Sequence, residues 1–189
     1  AFDTDKAVET AMELFHARGY DAVGIAELSK AMGVNPPSLY AAFGSKRGLF
    51  EAVLKHYLAR EGGFVRATMA EEGGLAEIVG RLFRRAAEAY GAPGGLTGCL
   101  VLDSTRNCSD PEVCAVAAQE KTRSREAILN RIAEDHPAEG GALADYVGVV
   151  LAGLSAAARD GMPAGDLRQA AEIAAAGFAA RLSGLAAEG

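Results

Sequence analysis

Two short helical segments joined by a glycine constrain this chain more than any other feature. Apolar residues recur at helical spacing between positions 25 and 32, namely Ile25, Leu28 and Met32, so one face of a short helix needs a covering partner. Gly33 follows at the point where a residue that tolerates positive φ can end this helix. The chain is therefore expected to turn sharply at Gly33.

A second helix is expected to begin directly after that turn. The Asn35 side-chain oxygen can cap it, and Pro36 and Pro37 suit a first turn whose N–H groups have no partner inside the helix. Because Pro37 disfavours helical backbone angles at the residue before it, the cap is either Asn35 or Pro36. This spacing is typical of the helix-turn-helix motif, which places its second helix in the major groove of DNA.

Helical periodicity extends along nearly the whole chain, and no segment alternates as a half-buried strand would. We predict helices over 4–18, 25–32, 37–42, a fourth capped by Ser45, 75–90, a helix or buried segment over 96–107, a long helix from Pro111 to about residue 135, 142–159 and 166–185. The predicted fold class is all-α with about nine helices. Glycine pairs at 62–63 and 73–74 place a domain boundary near residue 60, which gives domains over 1–60 and 61–189.

The net charge of −6 does not exclude DNA binding. Residues 1–60 carry seven basic and seven acidic side chains, so the remaining residues account for the whole negative charge. The acidic side chains of the first sixty residues lie mostly before residue 28, and the basic residues Lys30, Lys46, Arg47 and Lys55 come after it. These positions allow a modest positive face beside the helix-turn-helix.

Other functional classes lack sequence support. There is no Walker-type phosphate loop, no G-x-S-x-G elbow and no H-E-x-x-H helix, so we predict no catalytic residue and no cofactor. No run of 18 apolar residues occurs, and the start from Ala1 to Asp5 is acidic, so we expect a cytoplasmic protein without a membrane partner. The competing interpretation is a helical enzyme or scaffold that does not bind DNA.

The cysteines Cys99, Cys108 and Cys114 form an odd set without a zinc-binding spacing, so no metal ligands are predicted. Two interpretations stay open. The thiols are incidental, or the three act together in a redox-sensing regulator.

The amino-terminal third of the chain resembles the DNA-binding domain of the TetR family of bacterial transcriptional regulators. The resemblance is carried by Ala11 to Phe15, Gly19, Tyr20, Ile25, Ala26, Gly33, Val34, Ser38, Leu39, Tyr40, Phe43, Lys46 and Leu49. It implies a ligand-responsive repressor that binds a palindromic operator as a homodimer. A small hydrophobic or aromatic inducer would release the DNA by binding the two states of the dimer unequally.

In this family the dimer forms through the last two helices, here 142–159 and 166–185. Both are rich in Ala and Gly, which permits close approach of helices. Packing within one chain is the alternative explanation for these small residues.

The resemblance also implies roles for individual residues. Tyr40 and Lys46 would contact DNA phosphates, since a phenol and an ammonium can both donate to them. The remaining candidate DNA contacts are Gly24, Lys30, Asn35, Pro36, Pro37, Ser38 and Ala41, of which all but the first two would face the major groove. Gly24 stands where the family often has a capping Thr or Ser. Tyr40 as a packing residue and Lys46 as a solvated helix start remain alternatives.

The ligand pocket is assigned to the second domain, with its wall drawn from the segments 75–90 and 96–107 and the helix that begins at Pro111. An apolar pocket with one orienting polar group would suit the proposed inducer. The candidate lining residues are Leu82, Phe83, Ala86, Tyr90, Leu100, Leu102, Asp103, Arg106, Val113 and Val116. Asp103 or Arg106 would supply the polar group.

Overall fold

The computed structural model describes residues 3–188, and every regular element in that range is an α-helix. The helices are α1 Thr4–Arg18, α2 Ile25–Met32, α3 Pro36–Phe43, α4 Lys46–Arg60, α5 Phe64–Met69, α6 Leu75–Tyr90, α7 Leu100–Asp103, α8 Pro111–Ala133, α9 Gly140–Arg159 and α10 Ala164–Glu188. The all-α prediction is confirmed, with ten helices in the described range. Ala1 and Phe2, which open the acidic run noted above, lie outside it.

The helices form two compact units. The first contains residues 1–63 and 99–121, and the second contains residues 64–98 and 122–189. The first division falls close to the boundary predicted near residue 60, but the prediction placed the segment 99–121 in the second domain. The structure returns this segment to the first unit, where the Tyr20 N–H donates to the Ser104 carbonyl at 2.9 Å. Local sequence patterns carry no signal for such a distant contact.

In the first unit, α1 to α4 share one apolar core, as predicted. Phe15, Leu39 and Phe50 are fully buried. The Phe15 ring stacks on Tyr20 with 5.6 Å between centroids and meets Phe50 edge-on at 5.4 Å. Because one face of α3 is anchored in this core through Leu39, the opposite face is left for solvent or a partner.

In the second unit, α6 is the central helix and packs against α5, α9 and α10. Its bounds match the prediction, and its apolar stripe is buried from Leu75 to Tyr90. Helix α5 was not predicted, because six residues between two glycine pairs are too few to show helical periodicity. Its residues Val65 and Met69 are buried.

The segment 96–107 is helical only at Leu100–Asp103. Gly98 has a φ of +81°, which precludes a longer helix on that side. Leu100 and Val101 are buried, so the buried-segment alternative describes this stretch better than the helix alternative.

Helix α9 is long and apolar enough to cross a membrane by length and composition alone. It contains Asp145, so it fails the test of uninterrupted apolar residues that was applied to the sequence. Its residues Leu143, Val147 and Leu151 lie buried on one face, and the helix packs on α6 and α10. Since a core helix passes the same test, this composition is weak evidence for a membrane segment.

Candidate nucleic-acid interface

The turn between α2 and α3 depends on Gly33. Its φ of 68° and ψ of 30° are left-handed helical, a conformation that L side chains rarely adopt. The Gly33 N–H donates to the Lys30 carbonyl at 3.2 Å, and the Val34 N–H donates to the Ser29 carbonyl at 2.9 Å. A Cβ added at Gly33 would meet no atom within 4 Å, so glycine is required here by backbone angle and not by crowding.

Asn35 is the N-cap of α3, and Pro36 is the first helical residue. The Asn35 Oδ1 atom accepts from the Ser38 backbone N–H at 2.9 Å and from the Ser38 hydroxyl at 2.8 Å. The alternative of Pro36 as the cap is therefore wrong. Because a backbone N–H can donate only to the oxygen of the amide, both Asn35 side-chain N–H donors are left for another partner.

Most of the predicted DNA contacts are accessible to solvent. Ser38 and Lys46 are half-buried, and the other seven are exposed: Gly24, Lys30, Asn35, Pro36, Pro37, Tyr40 and Ala41. The Tyr40 side chain is 47% exposed, which argues against the packing interpretation and leaves its hydroxyl accessible to a phosphate. We call this set, without Lys46, the α2–α3 surface. Gly24 caps α2 without a side-chain hydrogen bond, as its lack of a side chain requires.

Lys46 is the first residue of α4, whose N-cap Ser45 accepts from the Gly48 N–H at 3.0 Å. Its Nζ donates to the Tyr20 carbonyl at 2.7 Å and lies 4.0 Å from the centroid of the Tyr20 ring. Burial lowers the pKa of Lys46, and the Asp21 carboxylate opposes that shift. Lys46 is therefore more than a solvated helix start. An ammonium has three donors, so its bond to Tyr20 leaves capacity for a phosphate.

Arg47 follows Lys46 on α4 and forms ion pairs with Glu112 and, at 3.6 Å, with Glu51. The pairing of Arg47 with Glu112 was not predicted. Glu51 stands four residues after Arg47, which is a visible helical signal, but Glu112 is brought near only by the return of segment 99–121. The arginine beside the predicted phosphate contact is thus neutralised within its own chain.

A shallow surface pocket of about 390 Å³ lies between α1 and the end of α2. Its lining includes Lys6 and Thr10 of α1, Lys30 of α2 and the turn residue Val34. It contains none of the predicted ligand-binding residues. Lys30 belongs to the basic residues predicted to lie on this side, and Lys6 joins it, while Asp3 in the same lining supplies a negative charge.

The predicted ligand-binding residues separate into two sets. Leu82, Phe83, Ala86 and Tyr90 belong to the second unit and are buried, and the other six belong to the first unit. The Asp103 carboxylate accepts from the Cys99 backbone N–H at 3.2 Å and from Arg106 Nε at 3.0 Å. Asp103 thus stabilises the segment from Cys99 to Arg106. A ligand role for these ten residues stays a prediction.

A cation site is not evident among the residues that are described. Across residues 3–188, no three side chains of His, Cys, Asp or Glu come together in a way that could hold a metal ion.

Comparison with known proteins identifies relatives over most of the chain. The Escherichia coli (strain K12) HTH-type transcriptional repressor BdcR is 38% identical over 160 residues, which covers 85% of this chain and 81% of BdcR. The HTH-type transcriptional repressor ComR of the same organism is 30% identical over 181 residues, which covers 90% of this chain and 86% of ComR.

A solved structure shows the same fold. It contains a cysteine mutant of CifR, a TetR family transcriptional regulator, complexed with 26-base-pair double-strand operator DNA. The TM-score is 0.81 and the identity 35%, over 93% of this chain and 96% of that chain. The family model described as bacterial regulatory proteins, tetR family, matches residues 7–53, which contain the α2–α3 surface and Lys46. The resemblance noted in the sequence is therefore confirmed: this chain belongs to the TetR family and is a DNA-binding transcriptional regulator, not an enzyme.

Proposed function

We propose that this protein is a cytoplasmic repressor that binds a palindromic operator as a homodimer and is released by a small hydrophobic or aromatic molecule. The observation that supports DNA binding is the exposed α2–α3 surface, in which Tyr40 is accessible and α3 is anchored in the core through Leu39. The names of BdcR and ComR support repression, and the operator complex of CifR supports a duplex target.

Pairing through α9 and α10 is supported by apolar side chains that stay exposed in the single chain. Val149 is 70% exposed and Ile173 is 68% exposed. A Cβ added at Gly153 or Gly184 would meet no atom within 4 Å, so packing within one chain does not require glycine at these positions. Small residues with open space above them are what a second copy of the same helices needs for close approach.

Release by an effector requires unequal affinity for two states of the dimer. A ligand that binds both states equally shifts nothing. The effector would favour a state in which the two recognition helices no longer match half-sites about 34 Å apart. The predicted lining residues of the first unit and those of the second unit can be mutated separately, to find which of them the effector requires.

Selection of bound duplexes from a random library tests the proposal directly. We expect a palindrome whose half-sites are about one helical turn, or a multiple of it, apart. The contact assignment is tested with two variants. Tyr40→Phe removes one hydrogen-bond donor. Lys46→Ala removes one phosphate contact, so the slope of log K against log[salt] should become less steep by about 0.9 per subunit. Arg66→Ala is the control, since it removes an exposed positive charge on α5 of the second unit.

Two results would contradict the proposal. A library that shows no enrichment even at low salt would exclude sequence-specific DNA binding. Unchanged affinity and salt dependence in both Tyr40→Phe and Lys46→Ala, with folding intact, would show that the phosphate contacts were assigned to the wrong side chains.

A further inference from the structure

The structure separates the three cysteines into one isolated thiol and one pair. Cys99 is buried and its side chain hydrogen-bonds with Tyr57. Cys108 and Cys114 are half-buried, and none of the three is in a disulfide. The Cys114 thiol donates to the Cys108 carbonyl at 3.3 Å. This contact places the Cys114 thiol beside the residue that carries the Cys108 thiol.

The segment between the paired cysteines contacts the loop after α1 and the first turn of α4. The Ser109 N–H donates to the Asp21 carboxylate at 2.7 Å, and Glu112 forms the ion pair with Arg47. Asp21 follows Tyr20, and Arg47 follows Lys46. The two residues that anchor the segment are thus sequence neighbours of Tyr20 and Lys46, which contact each other. All four residues belong to the first unit.

We propose that Cys108 and Cys114 form a modification site at which a hydroperoxide closes an intramolecular disulfide, and that this cross-link weakens operator binding. The second half of the proposal rests on the proposed DNA-binding function. The first half is a statement about thiol chemistry and stands without it.

The chemistry balances with the hydroperoxide as a two-electron oxidant. The Cys114 thiolate attacks the peroxide, the O–O bond breaks, and an alcohol leaves as Cys114 becomes a sulfenic acid. The Cys108 sulfur then attacks the sulfenic sulfur, the S–S bond forms, and water leaves with the Cys108 proton. Two thiols and one hydroperoxide thus give one disulfide, one alcohol and one water.

The surroundings assign the order of the two thiols. Burial and the nearby negative charge of the Asp21 carboxylate raise the pKa of Cys108 to about 11. Its thiol therefore stays protonated at neutral pH, which suits the resolving sulfur better than the attacking one.

The cross-link changes the contacts that hold the segment. In the reduced protein the Cys108 thiol donates to the Asp110 carbonyl at 3.5 Å, and the Cys114 thiol donates to the Cys108 carbonyl. A disulfide removes both donors and requires Cβ atoms about 3.5–4.5 Å apart. The cross-link therefore removes two hydrogen bonds from the segment that Asp21 and Arg47 hold in the first unit.

The test exposes the full-length protein to cumene hydroperoxide and follows two readouts. Intact mass and peptide mapping identify the cross-link, and fluorescence anisotropy with the selected operator measures affinity before and after dithiothreitol. We expect loss of two hydrogen atoms, a peptide joining Cys108 to Cys114, and operator binding at least tenfold weaker until reduction. Cys108→Ser and Cys114→Ser keep a hydroxyl donor, so they should bind DNA like the reduced protein and lose the response.

Cys99→Ala is the control and should keep both the cross-link and the response. If this variant fails to fold, peptide mapping of the wild-type protein still shows whether Cys99 takes part. A cross-link through Cys99, one between two subunits, or retention of both thiols after exposure overturns the modification site. A Cys108–Cys114 cross-link with unchanged affinity overturns the regulatory half. A reduced protein that binds no duplex refutes the proposed function instead, while the mass readout still decides the chemistry.

Discussion

Asn35 is expected to perform two tasks with different atoms of one amide, and substitutions at this position can separate them. Its oxygen caps α3 through two hydrogen bonds from Ser38, at 2.9 and 2.8 Å. Its two N–H donors are directed away from that cap and are available to acceptors on base edges. A serine at this position would retain a capping oxygen and lose the amide donors, whereas an alanine would lose both.

Capping by Asn35 affects the free energy of unfolding, and base contact by Asn35 affects the free energy of DNA binding, so the two effects can be estimated separately. Ser and Asn are similar N-caps, so Asn35→Ser should change the free energy of unfolding by only a few tenths of a kcal/mol. Asn35→Ala should cost about 1 kcal/mol, because the first-turn N–H of Ser38 loses its acceptor. A neutral hydrogen bond contributes about 1 kcal/mol, so loss of one from each half-site of the proposed homodimer weakens binding by about 2 kcal/mol. That corresponds to a roughly 30-fold increase in Kd for Asn35→Ser.

Two measurements on the same three proteins check these numbers. Urea unfolding gives the free energy of unfolding, and anisotropy with the selected operator at one fixed salt concentration gives Kd. A scrambled duplex of equal length serves as the control for non-specific binding. Asn35→Ser should lose affinity for the operator and keep its affinity for the scrambled duplex.

The reasoning is refuted by either of two outcomes. If Asn35→Ser binds the operator like wild type, the amide reads no base. If Asn35→Ala unfolds at the same urea concentration as wild type, the two bonds to Ser38 contribute nothing to α3.

Three further predictions follow from contacts described above. Gly153→Glu should dissociate the dimer in analytical ultracentrifugation, whereas Ala118→Glu, an exposed position on α8, should not; a dimer unaffected by the first change would remove α9 from the interface. Gly24→Ser supplies the missing cap of α2 and should stabilise the protein to urea by a few tenths of a kcal/mol; a decrease in stability would show that glycine is required there. The hydrogen bond from Ser109 lowers the pKa of Asp21 in the folded protein. The ionised Asp21 carboxylate therefore stabilises the fold fully above the ordinary aspartate pKa of about 3.9, and this stabilisation is lost as the pH falls through the lower folded-state pKa. Asp21→Asn should therefore lose less stability than wild type over that acidic interval, and equal losses in the two proteins would refute the assignment.

Features encoded by neighbouring residues could be predicted from the sequence. The sequence predicts the apolar stripe of α6, the glycine stop of α2 and the cap Ser45, because each depends on residues within one or two helical turns. For α3 it limits the cap to Asn35 or Pro36. Helix α5 was missed because it is too short for periodicity to register.

The contacts that surround Lys46 and the cysteine pair could not be predicted in the same way. Glu112 pairs with Arg47, and Ser109 with Asp21, only because the chain returns to the first unit after residue 98. Nothing near residue 110 encodes that return, so the sequence left a solvated helix start open as the alternative to a phosphate contact for Lys46. Residues far apart in sequence decide how the candidate phosphate contact is held.

The same hydrogen bonds limit which bases α3 can read. Pro36, Pro37 and Ala41 offer no side-chain donors or acceptors, so they can contribute only apolar contacts, such as those with thymine methyl groups. The usual bidentate pairing of asparagine with adenine needs both the oxygen and an N–H, but the cap already occupies the Asn35 oxygen. Asn35 is therefore left with donors alone, which can bind guanine O6 and N7, adenine N7 and thymine O4. The Ser38 hydroxyl donates to Asn35, so toward DNA it can only accept, which favours the amino groups of adenine or cytosine. A selected half-site that accepts adenine but not guanine opposite Asn35 would indicate the bidentate pair, and would mean that the cap opens when DNA binds.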